Sequence, residues 1–256
     1  MSTTTLPVLD LQQFHSGDRE AFSQALGEAL GEIGFFALEN HGIPQELIQR
    51  AYRVTEAFFL QPEAVKRRSE DLNLQGQRGF TRFGREHARD NPAPDLKEFW
   101  HVGRTLPDTD PLAVVYPPNL WPAGIPEFQA TLEELYARLD ECALTLLEAA
   151  ALALGEPQPR FREMAERGNS ILRLIHYPPL GGAAPPGSVR AAAHEDINLI
   201  TLLCEATDAG LELLQRDGAW ISIRTPPGQI VVDSGDMLQN VTNGVLRSTT
   251  HRVVNP

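Results

Sequence analysis

The stretch LELLQRDGAWISI, residues 211–223, decides the fold. Two short apolar runs, Leu211 to Leu214 and Trp220 to Ile223, flank the dipeptide Asp217-Gly218, which tolerates the positive φ angles of a tight turn. A β-hairpin is therefore predicted. The same grammar continues downstream, where Gln229 to Val232, Met237 to Val241 and Val245 to Val254 read as further strands and Asn243-Gly244 reads as a second hairpin turn. Upstream, Ile171 to Tyr177 and Ile197 to Leu203 also read as strands, punctuated by Gly, Pro, Asn and Asp.

Before Gly168 the apolar period is helical. Ala21, Phe22, Ala25, Leu26, Ala29, Leu30 and Ile33 share one face of a predicted helix that follows Asp18 as its N-cap. After a short strand, Gly34 to Leu38, and the turn Asn40-His41-Gly42, Pro44 suits the first position of a second helix running to Pro62. Residues 73–94 show no period and are expected to form a long surface excursion. The longest helix is expected from about Pro126 to Leu154, stopped by Gly155. Many short strands behind a helical half predict an antiparallel sandwich or barrel, the jelly-roll class.

The chain has 256 residues, enough for one sizeable domain, and 42% are hydrophobic, so a true core is expected. Acidic residues outnumber basic ones by 34 to 22, giving a net charge of -12, and the only basic run is Lys66, Arg67, Arg68. Nucleic acid is not an expected partner. The two cysteines, Cys142 and Cys204, form no CxxC pair, the N-terminus lacks signal-peptide character, and no apolar stretch is long enough to span a bilayer. A soluble, cytoplasmic protein without membrane partners is the expectation; oligomeric state is not legible.

Of seven histidines, His15, His41 and His87 lie in turn or polar segments and are expected to be solvated or structural. His194 and Asp196 differ, because a spacing of two on an extended backbone points both side chains to one face. A third ligand must come from elsewhere, and His251 lies in a strand-like run that a jelly roll can place beside the first. Two His and one carboxylate on one face of a metal leave three positions open, which favours a redox-active iron(II) over a closed structural zinc site. Glu195 should point away from its neighbours, and Asp233 and Asp236 fit turn chemistry around Ser234-Gly235.

Several ordered blocks then resemble a known family. They are Ala193 to Leu203, with the sequence AHEDINLITLL, Asp217 to Ile221, Val232 to Gln239, Thr242-Asn243-Gly244 and Ser248 to Val253. Leu6 to Asp10, Gly34-Phe35-Phe36 and Asn40 to Pro44 extend the likeness to the N-terminal part. Together they resemble the iron(II)/2-oxoglutarate dioxygenases of the isopenicillin N synthase-like family. The resemblance implies a double-stranded β-helix with helices packed outside, and one structural unit in which residues 1–120 are the helical N-terminal region and 121–256 the long helix and iron-bearing core. It implies iron held by His194, Asp196 and His251, with dioxygen, 2-oxoglutarate as co-substrate and a small organic molecule as substrate.

By the same resemblance Tyr177 reaches the co-substrate or the substrate carboxylate, although Ile175 stands where plant members often carry Asn. The family's Arg-x-Ser clamp for 2-oxoglutarate lies beyond the distal His. The sequence stops at Pro256, five residues after His251, so a longer natural chain is expected. The His-Glu-Asp tripeptide also looks like isopenicillin N synthase, which uses no 2-oxoglutarate. A 2-oxoglutarate-independent oxidase, an ethylene-forming type and a non-catalytic jelly-roll binding protein thus stay open. Arg78, Arg82, Arg85 and Arg190 are candidates to pair with a substrate carboxylate.

Overall fold

Antiparallel pairing dominates the computed structural model, which describes residues 5–86, 94–179, 188–204, 210–224 and 226–255. In chain order the elements begin with β1 (Val8–Asp10), α1 (Leu11–Ser16), α2 (Arg19–Glu32), β2 (Phe35–Glu39), α3 (Gln45–Phe59) and α4 (Glu63–Lys66). Next come β3 (Gly79–Thr81), β4 (Glu98–Gly103), α5 (Phe128–Ala153), α6 (Pro159–Ala165), β5 (Ile171–His176) and β6 (Ala191–His194). The chain ends with β7 (Ile200–Leu203), β8 (Leu211–Leu214), β9 (Trp220–Ser222), β10 (Ile230–Ser234), α7 (Asp236–Val241) and β11 (His251–Val253). Two compact units result: Met1–Ile43, Leu139–Arg167 and Ala193–Pro256 form the first, Pro44–Arg138 and Gly168–Ala192 the second.

The first unit carries two four-stranded sheets, ordered β1-β2-β10-β7 and β6-β11-β8-β9. Strands β1 and β2 are parallel, as two strands joined through a helical crossover, here α1 and α2, can be. The pairings of β10 with β2 and β7, and of β8 with β11 and β9, are antiparallel. Phe35, Ala37 and Val231 from one sheet and Leu213 and Ile221 from the other belong to one buried apolar cluster. Burying each such side chain contributes roughly 1.5–3 kcal/mol, so this cluster fixes which face of each strand points inward.

The hairpin predicted at Asp217-Gly218 is present. Gly218 has φ +85°, Asp217 Oδ1 accepts from the Ala219 amide, and Leu213 faces Ile221 across the ladder. At Asn243-Gly244 the positive φ angles are also present, +52° and +81°, but they terminate a helix instead of turning a hairpin. Residues 237–241, expected as a strand, lie in α7. Met237 and Val241 are exposed while Leu238 is fully buried, a one-sided pattern a short helix satisfies, and Asp236 in the first turn complements the helix dipole. The strand expected over 245–254 contracts to β11. In residues 246–249, side-chain bonds take over: Leu246 and Ser248 amides donate to Thr242 Oγ1 and Gln239 Oε1, and Ser234 Oγ donates to the Arg247 carbonyl.

The second unit holds the antiparallel sheet β3-β4-β5, with Trp100 opposite Phe80 on one side and Leu174 on the other. Phe58, Phe80, Trp100 and Phe128 pack edge-on or tilted around Phe58, with centroids 4.8–5.9 Å from it. Pro44 is the N-cap of α3, one position before the predicted one. The described part of 73–94 departs from the expected surface excursion, because β3 lies within it with all three residues buried. Strand β4, buried at every position, carries no alternation by which an amphipathic strand is recognised. Among the described residues no helix is long and apolar enough to cross a membrane.

Candidate metal centre and its surroundings

His194 is the last residue of β6, Asp196 follows it in the loop to β7, and His251 opens β11. Strand β6 neighbours β11, which brings the two chain segments together. The register of β11 is pinned by the cross-strand pair Arg252–Glu212, a 2.7 Å ion pair in which Glu212 is buried and Arg252 lies 3.9 Å above the Trp220 ring. Successive strand residues face opposite sides, so pinning Arg252 on one face aims His251 to the other. Glu195 is exposed between the half-buried His194 and Asp196, as the spacing predicted, and accepts a hydrogen bond from Thr250 Oγ1.

The two imidazole Nε2 atoms stand 3.6 Å (His194) and 3.8 Å (His251) from Asp196 Oδ1, and one donor atom from each residue falls within 4.8 Å of the others. These separations are too long for hydrogen bonds. They match two donors sharing an ion: with metal–ligand bonds of about 2.0–2.2 Å, donors lie from about 3 Å apart at right angles to about 4.4 Å apart on opposite sides. The opposite atoms of Asp196 and His251 are already engaged. Asp196 Oδ2 accepts from Thr201 Oγ1, and His251 Nδ1 faces the Thr249 carbonyl at 3.2 Å, which assigns its proton to Nδ1 and leaves the Nε2 lone pair available.

Electrostatics favour the same state. Burial and the neighbouring His194 lower the His251 pKa from its ordinary value, so its imidazole stays neutral, the form a metal needs. Phe35 packs edge-on against the His251 ring at 5.5 Å and restricts its orientation. Among the described residues no lysine or arginine pairs with Asp196. The donor set therefore fits a divalent cation with open positions.

Asp233 is buried on β10, and burial together with the Asp196 charge pushes its pKa well above the usual carboxylate value. Asp236 begins α7 and gives its amide proton to the Asp196 carbonyl at 2.7 Å. Neither carboxylate joins the three-residue group. Tyr177 belongs to the second unit, just after β5. Burial, with Asp95 nearby, raises its hydroxyl pKa to about 12, and the Arg190 guanidinium lies 5.3 Å from its ring centroid.

The arginine candidates separate. Arg78, a candidate partner for a substrate carboxylate, is fully enclosed, donating to the Gln77 carbonyl and to Asn169 Oδ1 at 2.6 Å, and so is a structural residue. Arg82 and Arg85 both pair with Glu70 at 3.3 Å. His41 accepts from the Ile43 amide and faces the Gly228 carbonyl, a structural role. His15 is exposed in the last turn of α1, and His87 lies outside the described residues. The network that sequence reasoning missed is Thr201 with Asn198 behind Asp196; a Thr five residues after a ligand carries no spacing signal of its own.

Comparison with known proteins supplies the chemistry. Residues 6–124 match the family model for the N-terminal region of non-haem dioxygenases in morphine synthesis, and residues 168–256 match that of the 2OG-Fe(II) oxygenase superfamily. The chain is 33% identical to a proline hydroxylase of Petromyces alliaceus, over 100% of this chain and 82% of the relative. A Caulobacter crescentus structure described under the 2OG-Fe(II) oxygenase family superposes with TM-score 0.88 at 41% identity, covering 98% of this chain and 80% of that one. A full-length Neurospora crassa protein solved with α-ketoglutarate (2-oxoglutarate) gives TM-score 0.87 at 28% identity, covering 98% and 79%. Of the alternatives the sequence left open, these relatives select 2-oxoglutarate as co-substrate. The chain belongs to the 2-oxoglutarate/iron(II) oxygenase superfamily and is a non-haem iron(II) dioxygenase that oxidises a small organic substrate with dioxygen and 2-oxoglutarate, releasing succinate and carbon dioxide.

Proposed function

We propose that His194 Nε2, Asp196 Oδ1 and His251 Nε2 are the iron ligands of this dioxygenase. The observation that carries the assignment is their convergence within 4.8 Å, at separations beyond hydrogen bonding, with the opposite atoms of Asp196 and His251 held by Thr201 and Thr249. When bound, iron(II) supplies the redox chemistry that couples dioxygen and 2-oxoglutarate to oxidation of the substrate. The protein's part is geometric. Three ligands on one side leave three positions for co-substrate and dioxygen, and strands β6 and β11 hold two of those ligands on rigid backbone.

Tyr177 is proposed as a contact of the co-substrate or substrate carboxylate. A phenolic hydroxyl, protonated at neutral pH, can donate to a carboxylate. The double-stranded β-helix is proposed for the first unit's strands, supported by two four-stranded sheets that contribute to one apolar cluster. Residues 1–120 are proposed as the N-terminal region and 121–256 as the iron-bearing core, a boundary supported by the N-terminal family match ending at residue 124. A small-molecule substrate is supported by the Neurospora crassa relative, solved with α-ketoglutarate and thymine. Cytoplasmic location is supported by Cys142 and Cys204, neither of which is in a disulfide.

Anaerobic titration with iron(II) and 2-oxoglutarate tests the assignment: a weak visible charge-transfer band is expected for the wild type, with succinate released in air, and neither for His194→Ala. Undiminished iron stoichiometry in His194→Ala would refute the ligand set.

A further inference from the structure

Behind Asp196 stands a hydrogen-bonded relay with a fixed direction. Asn198 Nδ2 lies 2.8 Å from Thr201 Oγ1 and can only donate to it. A hydroxyl has a single proton, and with Asn198 feeding its lone pair that proton goes to Asp196 Oδ2. Thr201 itself is fixed by the β7–β10 ladder, where it faces Asp233.

The loop is held from its backbone side as well. The amides of Gly235, Asp236 and Met237 donate to carbonyls of residues 196–199 at 2.7–3.2 Å. This approach is so close that a Cβ on Gly235 would stand 2.3 Å from the Asn198 carbonyl oxygen and 2.7 Å from that of Asp196. Gly235 has φ -97°, which any residue adopts, so glycine is required there by proximity and not by backbone angle.

We propose that Thr201 is a positioning residue for the metal: it occupies Asp196 Oδ2 so that the carboxylate offers the ion one oxygen, Oδ1, and a coordination position is kept for co-substrate or dioxygen. The inference rests on Asp196 being a ligand. A carboxylate freed at Oδ2 can turn and bind through both oxygens, as carboxylates do when nothing engages the second one. The hydroxyl is thus a specificity device for coordination number as well as a source of affinity.

The test uses cobalt(II) as the probe, with dissociation constant and visible ligand-field spectrum as readouts that need no turnover. Thr201→Val keeps the β-branched shape on β7 and removes the donor. It is expected to weaken cobalt(II) binding about 10–100-fold, the usual cost of losing a ligand's hydrogen-bond partner, and to shift the spectrum. Thr201→Ser restores the hydroxyl and is expected to restore both. Asn198→Ala lies outside the strand, so it reports even where Thr201→Val does not fold; it is expected to weaken binding about threefold by removing the polarising donor.

Wild-type affinity and spectrum in Thr201→Val, or in Asn198→Ala should the first variant not fold, would overturn the positioning role. Failure of Thr201→Ser to recover would assign Thr201 a packing function instead. Asp196→Ala separates the two levels of inference: cobalt(II) binding that survives it sinks the ligand assignment, whereas binding lost in Asp196→Ala but kept in Thr201→Val sinks only the positioning role.

Discussion

Among the described residues, two groupings of carboxylate and histidine, one in each unit, are built in opposite ways. In the second unit Glu98 is buried between Lys66, whose Nζ is 2.6 and 2.7 Å from its oxygens, and His176, whose Nδ1 is 2.8 Å away. Phe59 stacks on the His176 ring at 5.0 Å. The chain provides its own cation there, and all contacts are at hydrogen-bond length. In the first unit Asp196 faces two histidines at 3.6 and 3.8 Å, and no cationic side chain among the described residues pairs with it. A buried charge needs a partner; where the sequence provides lysine the group is a structural tie, and where it leaves a gap of ionic size the group is the proposed metal centre. Lys66, read from sequence as part of a basic run, is thereby reassigned to the interior.

Breaking each group should give opposite phenotypes. The largest effect is expected from His251→Ala, with iron affinity falling more than about 100-fold, beyond the 10–100-fold range of outer-shell losses, and succinate release lost while the folded fraction stays near wild type. Metal analysis after gel filtration, with circular dichroism, checks both halves. Glu98→Gln should do the reverse: leaving Lys66 without its counter-charge costs about 3–5 kcal/mol in urea unfolding, yet the molecules that remain folded should bind iron as before. If Glu98→Gln lost iron without losing stability, the distinction drawn between the two groups would collapse.

A third effect is pH-dependent and smaller per pH unit. His101 is buried with one ring nitrogen 2.6 Å from the Gly76 carbonyl and the other accepting from Arg173 Nε at 2.7 Å, and burial and then the Arg173 charge lower its pKa to about 3. The folded pKa lies below the ordinary value of 6.5, so as pH falls below about 6.5 the unfolded chain takes the proton first and stability declines, until the folded form also protonates near 3. Each pH unit inside that window should remove about 1.4 kcal/mol. His101→Gln should lose that slope; parallel stability–pH curves for wild type and variant would show that His101 takes a proton as readily in the fold as in the unfolded chain. The smallest effect is expected from Glu195→Gln, whose side chain points away from its two neighbours: cobalt(II) affinity should not change, and a change would mean that the alternation at residues 194–196 does not hold.

What was legible in the sequence was what depends on near neighbours. Asp217-Gly218 specifies its hairpin within a few residues, and the spacing of His194 and Asp196 states their common face directly. Asn243-Gly244 announced positive φ correctly, but whether such a pair turns a hairpin or ends a helix depends on what precedes it, and α7 was read as a strand. The path from Leu246 to Thr249 was illegible because its partners come from elsewhere: Gln239, Ser234 and, through Thr249 Oγ1, the carbonyl of Ile33. Strand β4 and buried Arg78 escaped for a related reason. A strand covered on both faces has no period, and an enclosed guanidinium whose two terminal nitrogens bond a carbonyl and Asn169 looks in sequence like any surface arginine.

The separation of the ligands along the chain has a consequence for how the protein is made. Between Asp196 and His251 the chain must first close the β8–β9 hairpin and then lay β11 beside β8 in the correct register. Until both have happened there is no third donor, so the unfolded chain has at best a pair of weakly held ligands. With these three residues as the proposed ligands, iron would act as an inspector of assembly, binding only molecules whose β11 is seated and, by mass action, drawing the population toward them by about 2.7 kcal/mol when free metal is a hundredfold above its dissociation constant.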